Sequence, residues 1–255
     1  MRKSRKLSPV SLLDEIYAIY KEWNKPKHIW FRGEPGEAEA PLMPKLYRHA
    51  GYRENYLLQE FRRKAPSLIQ TNPPATDETD KWLFLAQHYC LPTRLLDWTD
   101  NFFAATGFAL EYDSPVIYVI DPIALNRLSA ELPNDYEFPL TWHGENSIGT
   151  VNIRAAWEPN QPGTEHPIAI KPTYSDLRQS LQSSCFTIFG SGDRSMLDIN
   201  GFDRIAEIRL PGKTSKSYGD IYWFFKRIGF RRTSQFGDLD SLASDITQES
   251  LSFGA

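Results

Sequence analysis

The spacing of apolar residues along the chain predicts several helices. Over residues 8–23 and 52–70, apolar side chains recur every three or four positions, which is the pattern of amphipathic helices. Residues 101–111 are apolar nearly all round, which indicates a deeply buried helix. A further helix is predicted over 213–228, with Gly229 at its end.

Short apolar runs bounded by turn residues predict four strands, at residues 28–33, 116–120, 184–189 and 204–210. Polar, proline-containing segments lie between these elements and predict loops, among them residues 34–44.

The remaining segments complete the predicted fold. Residues 127–165 show little periodicity and predict a long excursion with short strands, whereas 233–246 predict a last short helix. No internal repeat or long linker divides the chain, so the predicted fold class is α+β: a single domain with a small mixed sheet of split strands packed with several helices. The predicted divisions are an N-terminal helical segment at 1–27, a main domain at 28–246 and a tail at 247–255.

Composition and charge narrow the function classes. The 255 residues are 41% hydrophobic and carry a net charge of −3, so any nucleic-acid site has to be a local basic groove. Cys90 and Cys185 are far apart, no signal peptide is recognised, and no apolar run is long enough to span a membrane. The histidines and cysteines also lack metal-ligand spacing. These features predict a reduced cytoplasmic protein without a metal or a membrane partner.

Residues 86–99, AQHYCLPTRLLDWT, hold the densest chemistry in the chain. Because Pro92 cannot continue a helix, we expect a helix to about Tyr89, a bend at 90–92, and a second helical turn begun by Thr93. Such a bend can direct polar side chains into a cleft. The alternative is a buried ion pair between Arg94 and Asp97 that only fixes the bend.

Three segments together resemble the FRG domain family, which is named after a Phe-Arg-Gly triplet. They are WFRGE at 30–34, PLMPKLYR at 41–48 and QHYCLPTRLLDWT at 87–99, and the resemblance extends over about residues 28–245. Two residues depart from the family pattern: Cys90 stands where glycine is usual, and Glu34 stands where glutamine is usual.

The aromatic–Arg–Gly strand is also similar to the first strand of ADP-ribosyltransferases of the arginine-serine-glutamate class. This resemblance implies an ADP-ribosyltransferase-like fold with NAD as a substrate and no metal. It also implies that Arg32, at the end of its strand, holds the NAD phosphates, and that Gly33 allows a close approach of the ligand. The resemblance also implies a supporting hydroxyl, for which Thr187 is the candidate. The other candidate binding residues are Glu34, His88, Tyr89, Thr93, Arg94 and Trp98, with a core histidine as the alternative for His88 and a helix cap as the alternative for Thr93.

Two carboxylates are candidates for the catalytic acid that stabilises the ribosyl cation. Glu207 occupies a late strand, in the order that the resemblance implies, and its alternative role is that of a solvent-facing partner of Arg209. Asp97 lies within the 87–99 motif, where its alternative role is structural.

The sequence therefore supports two hypotheses of different classes. The first is an NAD-dependent ADP-ribosyltransferase-like toxin or phage-defence effector that modifies a protein or RNA acceptor, with an antitoxin as a further candidate partner. The second is a non-catalytic nucleotide- or RNA-binding module, or a partner-docking module, of a toxin–antitoxin or phage-defence system.

Overall fold

The computed structural model describes residues 8–69, 73–130, 132–141, 165–174, 177–190 and 195–252. In these ranges the helices are α1 (Pro9–Glu22), α2 (Glu54–Lys64), α3 (Thr79–His88), α4 (Phe102–Leu110), α5 (Pro122–Ala130), α6 (Leu177–Leu181), α7 (Lys216–Arg227), α8 (Arg232–Phe236) and α9 (Leu239–Ser252). The strands are β1 (Trp30–Pro35), β2 (Leu95–Thr99), β3 (Pro115–Ile120), β4 (Leu140–Thr141), β5 (Ile168–Lys171), β6 (Ser184–Ile188) and β7 (Ile205–Arg209).

The strands form one sheet in the order β4-β5-β6-β2-β1-β3-β7. Every neighbouring pair is antiparallel except β4 and β5, so the sheet is mixed and the α+β class is confirmed. β1 pairs with β3 along its whole length but meets β2 at a single pair, Phe31 and Thr99. The sheet is therefore open between β1 and β2.

The two faces of the sheet bury separate apolar clusters because side chains alternate along each strand. On one face, Trp30 packs with Trp98 and Tyr118. On the other face, Phe31 packs against α4, and Leu12 of α1 is fully buried in the same cluster. The N-terminal helix thus packs onto the sheet of the main domain.

The helical turn expected from Thr93 is wrong, because residues 95–99 form β2. This strand pairs with β6 over five residues and buries Leu95, Leu96 and Trp98. Residues on both faces of β2 are buried and only Asp97 is exposed, so the strand lacks the alternation of apolar and polar positions by which a half-buried strand is recognised. The Thr93 hydroxyl bonds the Gln87 side chain and accepts from the Leu95 N–H, so it caps no helix.

Other elements differ from the prediction mainly in their bounds. β1 continues to Pro35, so Arg32 lies within the strand rather than at its end, and the irregular segment begins after Pro35 instead of at Glu34. The helix predicted over 213–228 is confirmed as α7. The last turn or short helix predicted over 233–246 is helical as expected but is formed by two helices, the short α8 and the longer α9. Most of the excursion predicted at 127–165 lies outside the described residues.

Candidate functional site

A cleft of about 580 Å³ occupies the opening between β1 and β2. The volume lies within the range of small-molecule sites. Its walls come from both strands, the end of α3, the bend after it, α4 and α6. The lining residues include Arg32, Gly33, Lys45, Arg48, Gln87, His88, Cys90, Asp97, Trp98, Phe108, Tyr112, Arg178 and Gln182.

The guanidinium of Arg32 is held from two sides. Its Nε donates to Oε1 of Glu34 at 2.7 Å, and its Nη1 donates to the carbonyl oxygen of Asp97 at 2.7 Å. Burial alone would lower the pKa of Arg32, but the charges of Glu34 and Asp97 and the Glu34 hydrogen bond raise it above its ordinary value. Among the described residues, none accepts a hydrogen bond from Nη2. Arg32 is therefore a fixed cation whose Nη2 can still donate hydrogen bonds to a ligand.

Glu34 belongs to the support of the site and does not line the cleft. Its side chain is buried, and Oε2 accepts from the backbone N–H of Leu42 at 3.1 Å. Arg48 approaches Oε1 at 3.5 Å. The negative charge at this position thus fixes both Arg32 and the chain that follows β1.

Asp97 is the carboxylate of the cleft. Its side chain is 57% exposed, and Oδ2 lies 3.7 Å from Nη1 of Arg32. The Gln87 amide donates to the same Oδ2 at 2.8 Å, and Gln87 is itself held by the Thr93 hydroxyl. Thr93, which lies outside the cleft, therefore orients the acid through Gln87.

Positive charge dominates the cleft. Arg32, Lys45, Arg48 and Arg178 line it, against the single carboxylate of Asp97 among the lining residues. Phe108 and Tyr112 add aromatic surface from α4 and the residues after it. Fixed cations beside aromatic walls suit an anionic ligand that carries rings.

The bend after α3 requires an unusual backbone at Cys90. Its φ is 60°, in the left-handed region that glycine adopts without strain. The Lys45 ammonium donates to the Cys90 carbonyl at 2.9 Å and ties the bend to the cationic wall. His88 lines the cleft, whereas the Tyr89 ring lies exposed outside it.

Gly33 lines the cleft, so its expected role of allowing a ligand to approach stays a prediction, and the residue also has a role in packing. A Cβ at this position would lie 2.3 Å from the carbonyl oxygen of Ala105 and 2.4 Å from the N of Ala109. The missing side chain therefore allows α4 to pack directly on β1.

Several predicted site residues lie away from the cleft. Arg94 does not pair with Asp97: it forms an ion pair with Glu54 of α2 and donates to the Phe189 carbonyl at 3.2 Å. Thr187 is buried and accepts from Nε1 of Trp98 at 3.1 Å, so of these two only Trp98 reaches the cleft.

Glu207 is placed on the far side of β3 from β1. It pairs with Arg209, as the alternative interpretation expected, and is not among the cleft residues. The Tyr118 hydroxyl bonds it, and burial followed by the charge of Glu207 raises the pKa of Tyr118 to about 12. β7 therefore places Glu207 beside Tyr118 of the neighbouring strand and not in the cleft.

Sequence reasoning did not select Lys45, Arg48, Gln87 or Arg178 as site residues. Lys45, Arg48 and Gln87 stand inside the segments that carry the family resemblance, and this location could have identified them as site candidates. For Arg178 no such signal exists, because only the packing of α6 beside β6 brings it to the cleft.

Within the described parts of the chain, no group of three or more His, Cys, Asp or Glu side chains could hold a metal ion. Over the same residues, no helix combines the length and the apolar character that crossing a membrane requires.

Comparison with known proteins supports the resemblance seen in the motifs. The model of the FRG domain family matches residues 27–116, which include β1, α3, the bend and β2. Neither the curated proteins nor the solved structures contain a significant match to the chain. The matched segment carries most of the cleft, so the similarity to the FRG domain family covers the part of the chain that forms the candidate site.

Proposed function

We propose that the cleft binds NAD and that the protein transfers the ADP-ribose unit to a protein or RNA acceptor, as a toxin or defence effector. The single observation that carries the proposal is that the fixed guanidinium of Arg32 and the carboxylate of Asp97 line one cleft of about 580 Å³.

The cationic wall supplies the binding step. Arg32, Lys45 and Arg48 are positioned to neutralise a diphosphate, and Glu34 prevents the Arg32 side chain from turning away. Phe108 and Tyr112 offer ring surfaces for the nicotinamide or the adenine.

Asp97 supplies the chemical step. When the bond between C1′ of the ribose and the nicotinamide nitrogen breaks, its electron pair leaves with nicotinamide and positive charge develops on the ribose. A carboxylate held by Gln87 stabilises that charge electrostatically. A lone pair of the acceptor then forms the new bond to C1′, and the acceptor proton passes to Asp97 or to water.

The test compares two acids with different positions. Incubation with labelled NAD and a mixture of protein and RNA should give label transfer, and Asp97→Asn should reduce the rate about 100-fold or more. Glu207→Gln, outside the cleft, should retain the wild-type rate. Because the Asp97 side chain is largely exposed, the thermal unfolding midpoint of the Asp97→Asn variant should stay close to that of the wild type. Unchanged transfer by Asp97→Asn would remove the proposed acid.

The second candidate, a binding module without chemistry, rests on the surroundings of Asp97. The nearby Arg32 charge and the Gln87 amide already engage its carboxylate. Thermal-shift titration with NAD, ADP-ribose and short RNA separates the candidates: stabilisation by RNA alone, without loss of NAD, favours the binding module.

A further inference from the structure

The rim of the cleft combines exposed cations with exposed aromatic rings. We define the rim by Lys45, Arg48, His88, Tyr89 and Tyr52. Lys45 and Arg48 are exposed although they line the cleft, and the chain as a whole carries a net charge of −3. The opening of the cleft is therefore basic although the chain as a whole is slightly acidic.

The two tyrosine rings of the rim are exposed to solvent. Tyr89 is 64% exposed and Tyr52 is 39% exposed. The centroid of the Tyr89 ring lies 5.0 Å from that of His88, and the Tyr52 ring lies 4.9 Å from that of His49, the residue after Arg48. Each exposed tyrosine thus stands beside a residue that lines the cleft or follows one.

We propose that the acceptor is a single-stranded nucleic acid, whose phosphates bind Lys45 and Arg48 and whose unpaired base stacks on Tyr89. The inference rests on the transfer reaction proposed above and names its acceptor. Cations beside aromatic platforms are the common means by which proteins hold single strands. A duplex hides its base faces, and an acidic peptide would use the charges but leave the tyrosine faces uncovered.

The rim also places the acceptor next to the reacting carbon. Tyr89 stands between two residues that line the cleft: His88, whose ring it contacts, and Cys90, whose carbonyl binds Lys45. A strand seated on Tyr89 therefore lies next to the cleft wall that also holds Asp97. A base nitrogen or a hydroxyl of the strand supplies the electron pair for the new bond to C1′, nicotinamide departs with the old pair, and the displaced proton goes to Asp97 or water.

Binding is tested by fluorescence anisotropy without NAD. The probes are a labelled 12-nucleotide RNA, DNA of the same sequence, the corresponding duplexes and a glutamate-rich peptide. We expect the single strands to bind with a salt slope of about −1.4, because two phosphates contribute about −0.7 each. Equal affinities for RNA and DNA would indicate that the sugar is not read, and tighter RNA binding that the 2′-hydroxyl is contacted; both support the proposal.

Three variants test the stacking. Tyr89→Ala should weaken single-strand binding about 5- to 150-fold, because stacking of one base is worth about 1–3 kcal/mol. Tyr89→Phe should retain binding. Tyr17→Ala is the matched control, since Tyr17 is 54% exposed on α1, which adds nothing to the cleft lining. Tighter binding of duplex or peptide, or wild-type binding by Tyr89→Ala, overturns the proposal.

A separate assay of NAD consumption distinguishes the two proposals. If NAD is consumed and protein is labelled while single strands neither bind nor accept label, only the nucleic-acid acceptor is overturned. If single strands bind through Tyr89 but NAD is never consumed, the transfer reaction is overturned, and the acceptor role is lost with it.

Discussion

Gly33 shows how a residue in a functional motif serves the packing behind the site. Its position on β1 leaves no room for a side chain, because the backbone of α4 at Ala105 and Ala109 occupies that space. The same close contact lets Arg32, the preceding residue, point away from α4 and reach the carbonyl of Asp97.

We predict that Gly33→Ala destabilises the protein by about 2–3 kcal/mol, because a backbone cannot yield to the added methyl group as a side chain can. Urea unfolding measures the change. The control is Gly219→Ala in α7, where a Cβ meets nothing within 4 Å. That variant should be neutral or up to about 1 kcal/mol more stable. Similar losses in both variants would contradict the packing role of Gly33.

At the scale of elements, β2 and β6 are joined by a buried polar contact as well as by their ladder. Nε1 of Trp98 donates to Oγ1 of Thr187 at 3.1 Å, and the same hydroxyl donates to the thioether sulfur Sδ of Met196 at 3.7 Å. Because both strands are buried, the indole N–H has no access to water as a substitute partner.

We therefore predict a coupling of about 1–2 kcal/mol between Trp98 and Thr187 in a double-mutant cycle of Trp98→Phe and Thr187→Val. Urea unfolding of the wild type, both single variants and the double variant provides the four free energies. Additive losses would show that the contact contributes nothing of its own.

Asp245 fixes the C-terminal helices to one another. This buried carboxylate of α9 accepts from the backbone N–H groups of Arg232 and Thr233, from the Thr233 hydroxyl and from Lys226. Burial alone would raise its pKa, but these donors lower the pKa of Asp245 to about 2.

A lowered pKa means that the fold gains stability from the ionised form. The contribution of Asp245 is complete above about pH 4, the ordinary aspartate range, and is lost as the pH falls towards about 2. Asp245→Asn should cost about 2–3 kcal/mol at neutral pH, and its deficit relative to wild type should shrink between about pH 4 and 2. The exposed Asp240→Asn, on the same helix, serves as control. A deficit that does not change with pH would contradict this assignment.

For the whole molecule, the decisive feature is that all seven strands belong to one sheet although its two central neighbours, β1 and β2, are hardly paired. β1 is paired fully with β3, and β2 is paired fully with β6, yet β1 and β2 share only the pair Phe31 and Thr99. Arg32 bridges the opening through the Asp97 carbonyl, and the cleft occupies the remaining space.

If NAD binds in this opening, it should protect the two strands that border the opening, β1 and β2, together. We predict that saturating NAD slows amide hydrogen exchange in β1 and β2 and leaves β7, which lies beyond β3, unchanged. Mass spectrometry of peptides from each strand measures the effect. Protection of one edge alone, or protection of β7 to the same degree, would contradict binding between the strands.

Much of the architecture was predictable because its cause is local. Helical periodicity gave α1, α4 and α7, and apolar runs gave β3, β6 and β7. The bend at Cys90 followed from Pro92. The prediction was wrong at β2, because a strand covered on both faces has no alternation, and in the pairing of Arg94, because its partner Glu54 is 40 positions away along the chain.

Motif residues thus determined the segment that resembles the family and the candidates Arg32, Asp97 and Glu207, and the apolar pattern determined the fold class, since all of these depend on residue types at short spacing. Only the tertiary structure decided that Glu207 stands outside the cleft, that Gly33 serves α4, and that Lys45, Arg48 and Arg178 meet at one opening. The physical reason is that strand order and helix packing, which bring distant residues together, result from burial summed over the whole chain rather than from any one motif.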